Sequence, residues 1–147
     1  MRSLAPRLGL AFVLTAGAAM LTGCSSDVTA SLVHDTFDRT FIRLYAIQQA
    51  DLGRPNVRPG HFFAVASCQK GLAGSAQTGA GDNWVCVEQW QEVGGHFAEA
   101  TYELSVRTDG CFEATGPADV VGGPLLEGPT GEAIVNPLAQ FDACFAT

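Results

Sequence analysis

Five cysteines carry the most definite chemistry in this chain of 147 residues. Cys24 lies in the N-terminal region, and the other four are spread along the remainder: Cys68, Cys86, Cys111 and Cys144. An even number of cysteines in an exported domain is typical of disulfides, and four cysteines permit three connectivities. Short loops cost the least entropy to close, so we favour the pairing with the shortest loops. This pairing joins Cys68 to Cys86 and Cys111 to Cys144.

A serine and a lysine match a pattern known from serine acylation. Ser67 and Lys70 fit Ser-x-x-Lys, in which the lysine lies one helical turn from the nucleophile. The partner motifs Ser-Asp-Asn and Lys-Thr-Gly are absent, and the nearby segments are rich in glycine and proline. Cys-x-x-Cys and His-x-x-x-His spacings are also absent. We therefore predict no catalytic residue, metal or cofactor from these motifs.

Three glutamates on consecutive predicted strands offer an alternative. Glu88, Glu103 and Glu113 would act as an acid and base pair if they shared a sheet face, because opposed carboxylates raise the pKa of one of them. The plainer interpretation is a solvated acidic face. The histidines fall on different segments and are expected at the surface: His34, His61 and His96.

Two tryptophans on one predicted strand are the candidate binding residues. Strict alternation puts Trp84 and Trp90 on one side and Val85 and Val87 on the other. If the valines join the core, the tryptophans face outward as an apolar platform about 20 Å long for an envelope protein or a saccharide. Alternatively, loops or the C-terminal tail cover that side.

The N-terminal region has the order of features of an export signal. Arg2 and Arg7 precede an apolar stretch over residues 8–20, and small residues follow. This stretch is shorter than the roughly 18 to 20 residues that span a bilayer. We therefore predict that residues 1–23 are a signal peptide that is removed.

The cleavage region Leu21-Thr22-Gly23-Cys24 resembles the lipobox of bacterial lipoproteins. The resemblance implies that diacylglycerol is attached to Cys24 and anchors the protein on the extracytoplasmic side of the cell membrane. Residues 24–27 would then be the lipidated cysteine and a short tether with a reach of only about 10 to 14 Å. The alternative is a secreted protein with Cys24 in a disulfide.

Charge and composition exclude several classes of protein. Hydrophobic residues make up 47% of the chain and charged residues 16%, which argues against a disordered tail or a coiled coil. Without Arg2 and Arg7, 6 Lys and Arg remain against 15 Asp and Glu, a net charge of −9. Such a chain is repelled by nucleic acid and by anionic headgroups, so lipid alone is expected to hold it at the membrane.

A helix is the first element of the predicted domain. Its apolar residues recur at spacings of three and four over residues 28–50: Val33, Phe37, Phe41, Leu44, Tyr45 and Ile47. Ser26, Asp27 or Thr29 is suited to cap its start, and Gly53 follows its end.

Alternating apolar residues predict the strands that follow, at 61–67, 84–90, 100–107 and 111–115. A three-residue turn before Cys111 sets Val106 opposite Phe112, whereas a two-residue turn would mix the faces. The predicted core face is then Tyr102, Leu104, Val106, Phe112 and Ala114. A further hairpin joins 125–126 to 133–135, and the apolar tail from Asn136 is expected to pack.

These elements predict one α+β domain over residues 28–147, with one long N-terminal helix packed on an antiparallel sheet of about four strands, cross-linked by two disulfides.

The order of segments resembles a group of small actinobacterial lipoproteins without an assigned function. The segments that carry this resemblance are Cys-Gln-Lys-Gly at 68–71, Gly-Asp-Asn-Trp-Val-Cys at 81–86, Asp-Gly-Cys-Phe at 109–112 and the run at 136–145. This resemblance implies no activity. We expect a non-catalytic binding module at the cell envelope; the alternatives are a small hydrolase or a passive structural lipoprotein.

Overall fold

A long helix lies across one face of an antiparallel sheet. The computed structural model of the protein describes residues 28–72 and 74–146. The elements of these residues are α1 (Ala30–Asp51), β1 (Ala64–Lys70), β2 (Gly81–Gln91), β3 (Phe97–Val106), β4 (Cys111–Thr115), α2 (Ala118–Val121), β5 (Leu125–Glu127), β6 (Ala133–Val135) and β7 (Gln140–Cys144). The main sheet has the order β1-β2-β3-β4-β7, and β5 and β6 form a separate hairpin.

The predicted α+β architecture is confirmed, with a sheet of five strands where about four were expected. The additional strand is the C-terminal tail, which pairs antiparallel with β4. The predicted hairpin is also present, with Leu126 opposite Ile134. The predicted signal peptide at 1–23 and the predicted lipidated cysteine and tether at 24–27 lie outside the described residues.

Local sequence determines both ends of α1. The Thr29 side-chain oxygen accepts the N–H of Leu32 at 3.2 Å, as an N-cap residue does. After the helix, Gly53 has a φ of 79°, a conformation that a residue with a Cβ atom rarely adopts. The buried face of the helix includes most of the predicted stripe: Val33, Phe37, Phe41 and Tyr45.

The last turns of α1 pack on polar groups. Ile47, predicted inside, is 50% exposed, and Gln48 and Gln49 are buried instead. The Gln48 Nε2 atom donates to Asn136 Oδ1 at 2.8 Å, and Asn136 Nδ2 donates to the carbonyl oxygen of Val121 at 2.8 Å. The prediction for Ile47 is wrong because buried amides that satisfy one another replace the apolar core here.

Aromatic side chains fill the layer between α1 and the sheet. The Phe37 ring centroid lies 5.1 Å from that of Tyr102, 6.3 Å from Phe112 and 5.6 Å from Phe141. These partners belong to β3, β4 and β7, so one helix residue ties three strands together. Rings of this size each bury about 150 to 250 Å² and dominate the energetics of a small core.

The predicted register of β3 and β4 is confirmed. Val106 lies opposite Phe112 and Leu104 opposite Ala114. Gly110 in the connecting turn has a φ of 83°, so its left-handed conformation is as expected. The whole predicted core face of these two strands is buried.

The two disulfides have the favoured connectivity. Cys68 is bonded to Cys86 and Cys111 to Cys144, and each bond joins directly opposed residues of adjacent strands. The first bond links β1 to β2 and the second links β7 to β4. Both edge strands of the sheet are therefore cross-linked to their inner neighbours.

We expect the double substitution Cys111→Ser with Cys144→Ser to lower the free energy of unfolding by about 3 to 4 kcal/mol, since the bond closes a loop of about 33 residues in the unfolded chain. Urea denaturation followed by circular dichroism measures this change. Reduced wild-type protein, which lacks both bonds, serves as the control and should lose more. A loss below about 1 kcal/mol in the double variant would contradict the expectation.

Candidate functional site

The two tryptophans face the helix. Trp84 is 0% exposed and Trp90 is 2% exposed. Trp84 lies opposite Leu104, and residues directly opposite in an antiparallel pair share a face. The predicted outward platform is therefore wrong, because the tryptophans join the core while Val85 and Val87 lie on the other side. This removes Trp84 and Trp90 as binding residues.

The predicted acid and base residues do not come together. Glu88 is buried on the helix side of β2, whereas Glu103 and Glu113 are exposed on the opposite side of the sheet. His96 is exposed in the turn between β2 and β3. The expectation that Glu88 shares an acidic face with the other two glutamates is wrong, since its position in the strand puts it on the core side.

Ser67 and Lys70 are separated as well. They lie on a strand, and their odd spacing places them on opposite faces of it. The Lys70 Nζ atom donates to the carbonyl oxygens of Thr78, Gly79 and Ala80 at 2.8, 3.2 and 2.7 Å. This ammonium group holds the loop between β1 and β2 and is not available to activate a serine.

A buried carboxyl group, that of Glu88, lies beneath α1, and the half-buried Asp38 on α1 lies near it. Glu88 is flanked across the sheet by Ala66 and Ala100, whose small side chains leave room for it. Among the described residues, neither Glu88 carboxylate oxygen has a hydrogen-bond partner, and the same is true of Asp38 Oδ1 on the helix. Burial raises the pKa of Glu88 to about 9, and the Asp38 carboxylate adds to the effect. Burial also raises the pKa of Asp38.

A small polar cavity lies at the end of α1. It has a volume of about 120 Å³ and is lined in part by Gln49, Arg54 and Glu92. The Arg54 guanidinium donates to Gln49 Oε1 at 3.0 Å, so these two polar groups of the cavity wall already bind each other. This volume is well below the ~300 to 1,000 Å³ of typical ligand sites, so the cavity is not our candidate.

In the part of the chain that the structure describes, most side chains on the sheet face opposite α1 are exposed. At one end of this face the rings of Phe63 and Phe97 meet edge to face, with centroids 5.8 Å apart. Phe63 is 51% exposed and Phe97 is 69% exposed, and the half-exposed Val65 lies beside them. An exposed aromatic pair of this kind marks an interaction surface. We call these three residues the phenylalanine patch.

The other end of the open face is acidic. Glu113 lies directly opposite Asp142, and like charges at such positions repel. The Gln140 Nε2 atom donates to Glu113 Oε1. A groove of about 810 Å³ runs over these side chains, lined on its far side by Pro124 and Val135. Carboxylates placed side by side in an open groove can receive a cationic group.

The phenylalanine patch was not predicted from the sequence. At the acidic end, Glu113 was interpreted as part of a solvated acidic face, but its pairing with Asp142 was not predicted. Phe63 lies inside the predicted strand 61–67 but precedes the observed β1, and Phe97 lies outside the predicted strand 100–107 but begins the observed β3, so the predicted strand bounds did not indicate that these rings meet. The pairing of Glu113 with Asp142 requires the register of β7, which the connectivity of Cys111 and Cys144 could have supplied. Phe63, Phe97 and Asp142 are the functional candidates that sequence reasoning missed.

Comparisons with known proteins leave this surface to be interpreted from its own chemistry. No family model, curated protein or solved structure matches the chain. Within the described ranges, no cluster of three or more His, Cys, Asp or Glu side chains is arranged to hold a metal ion. No helix in that part of the chain has the length and hydropathy to span a bilayer.

We expect the stability of the protein to fall as the pH rises, and Glu88→Gln to reduce this dependence. The pKa of Glu88 rises from 4.5 in the unfolded chain to about 9 in the fold, so between these values the folded state holds a proton that the unfolded state has released. Stability is then lost at up to about 1.4 kcal/mol per pH unit. Urea denaturation at pH 5, 6, 7 and 8 measures the slope.

The matched control is Glu103→Gln, which removes an exposed carboxylate on the opposite face and should leave the slope unchanged. Glu88→Gln should be more stable than wild type at pH 8, with a difference that shrinks toward pH 5. Parallel profiles for wild type and Glu88→Gln would refute the buried, protonated state.

Proposed function

We propose that the protein is a lipid-anchored extracytoplasmic binding module, with the open face of its sheet as the binding surface. The observation that carries this proposal is the uncovered phenylalanine patch on a domain whose other sheet face is sealed by α1. Large apolar side chains that stay exposed on a small, cross-linked domain are typical of interaction sites. The separation of Glu88, Glu103 and His96 does not favour the hydrolase alternative.

A lipid anchor at Cys24 would determine how this surface is oriented relative to the membrane. Cys24 is four residues before Val28, a span of at most about 14 Å. Val28 lies at the start of α1, where its carbonyl oxygen accepts the N–H of Gly79 at 2.8 Å. The phenylalanine patch lies near the other end of the helix, which is about 33 Å away for 22 residues. A lipid on Cys24 would therefore hold the patch away from the membrane, where a partner can reach it.

The anchor is tested by Cys24→Ser. We expect this substitution to move the protein from the membrane fraction to the medium, because the domain is acidic and a single thioether carries all of its lipid. The control is Ser25→Ala, which keeps the cysteine and should leave the protein in membranes. Fractionation followed by immunoblotting measures the change. A Cys24→Ser protein that stays in membranes would contradict the lipid anchor.

The binding surface is tested by photo-crosslinking in cells that export the protein. A benzophenone amino acid at position 97 is expected to form a discrete protein adduct, because this side chain projects from the phenylalanine patch. The matched control is position 47 on α1, where Ile47 is 50% exposed. Phe63→Ser should weaken the adduct formed at position 97.

Two outcomes of this experiment oppose the proposal. Adducts at position 47 but not at position 97 would place the partner on the helix side. The absence of adducts at both positions would favour a passive structural lipoprotein.

A further inference from the structure

One edge of the sheet is free along an entire strand. In the described part of the chain β7 pairs with β4 alone. The N–H of Phe145 donates to the carbonyl oxygen of Gly110 at 2.8 Å, which marks this pair as hydrogen-bonded. Hydrogen-bonded and non-hydrogen-bonded pairs alternate in an antiparallel ladder. The backbone groups of Gln140, Asp142 and Cys144 therefore face away from β4, toward the free edge.

The opposite edge of the sheet is blocked at Lys70, the last residue of β1. The N–H of Lys70 donates to Gln77 Oε1 at 2.8 Å, and its carbonyl oxygen accepts from Gln77 Nε2 at 2.9 Å. The Gln77 amide thus occupies the position that an added strand would use at this residue. Helix α1 packs on the face of both edge strands, more extensively on β1 than on β7. Proteins commonly block edge strands with side chains that bind the free backbone groups, and among the described residues none does so on β7.

The acidic side chains beside β7 indicate which kind of strand would pair with it. Side chains on the outer face of an added strand would lie beside Asp142, which already faces Glu113. Both carboxylates line the groove of about 810 Å³ described above. The one guanidinium in the groove, that of Arg107, is engaged by Asp109 at 3.2 Å. Basic side chains alternating with apolar ones match this edge.

We propose that β7 binds an extended, basic segment of a partner protein, which adds to the sheet as a sixth strand. This inference rests on the proposed binding function and names the chemistry of its partner. A second copy of this chain fits less well, because antiparallel pairing of two β7 strands centred on Asp142 sets these carboxylates against each other. Backbone hydrogen bonds would supply affinity, and the carboxylates would supply the preference for basic side chains.

The probe is an eight-residue peptide of alternating lysine and valine, capped at both termini. We expect it to shift the amide resonances of residues 140, 142 and 144 and to slow their hydrogen exchange. A glutamate and valine peptide of equal length should bind at least about fivefold more weakly. N-methylation of alternate residues on the edge that faces β7 should weaken binding about tenfold, because it removes the backbone donors.

Protein variants complete the test. Asp142→Lys should weaken binding of the basic peptide about fivefold or more, while Glu99→Lys, the same change of charge on β3, should leave it within about twofold. Equal binding of the N-methylated peptide, or shifts confined to β1, would overturn strand addition. A dimer that forms through β7 without peptide, seen by sedimentation, would overturn the choice of partner.

The binding-module proposal and the strand-addition proposal can be refuted independently. Cross-links at position 97 together with no peptide effect at β7 would overturn strand addition and leave the binding module standing. Failure of both experiments would overturn both.

Discussion

The fold depends on the packing of the aromatic stripe of α1 against one face of a twisted antiparallel sheet. Phe37 and Phe41 contact rings from four of the five strands of the main sheet, all except β1. A sheet has two faces, and a chain with one long helix can cover only one of them. The apolar area of the tryptophans decides which face that is, because Trp84 and Trp90 bury far more surface than the valines between them.

The same packing explains why the Glu88 carboxyl group is buried. Position 88 lies between the core positions 86 and 90, so alternation forces the Glu88 side chain beneath the helix. Isolated buried carboxylates are costly, and the group adapts by keeping its proton. Ala66 and Ala100 make the site large enough for it. The burial of Glu88 therefore opposes stability at neutral pH.

Sequence reasoning succeeded wherever a turn or a cysteine fixed the register. The three-residue turn at Gly110 placed the core residues of β3 and β4 correctly, and loop lengths gave both disulfides. The turn between β2 and β3 holds the same kind of information. Glu92 donates its N–H to the carbonyl oxygen of His96 at 2.8 Å, which closes another three-residue turn. Counting from it sets Trp84 opposite Leu104 and puts the tryptophans inside. One strand alone does not predict which face of the sheet is open. Alternation determines which residues share a face of the sheet, but not which of the two faces the helix covers.

The disulfides and the free edge form one arrangement. An edge strand has a hydrogen-bonded neighbour on one side only, so it separates from the sheet more easily than an inner strand. Cys68–Cys86 and Cys111–Cys144 tie the two edge strands of this sheet to their neighbours, one on the helix side and one on the open side. On β1 this support accompanies an edge that Gln77 blocks at Lys70. On β7 the disulfide supports an edge that is still open. A strand that is already held in place loses less conformational entropy when another strand binds to it. The covalent framework therefore strengthens β7 as a template.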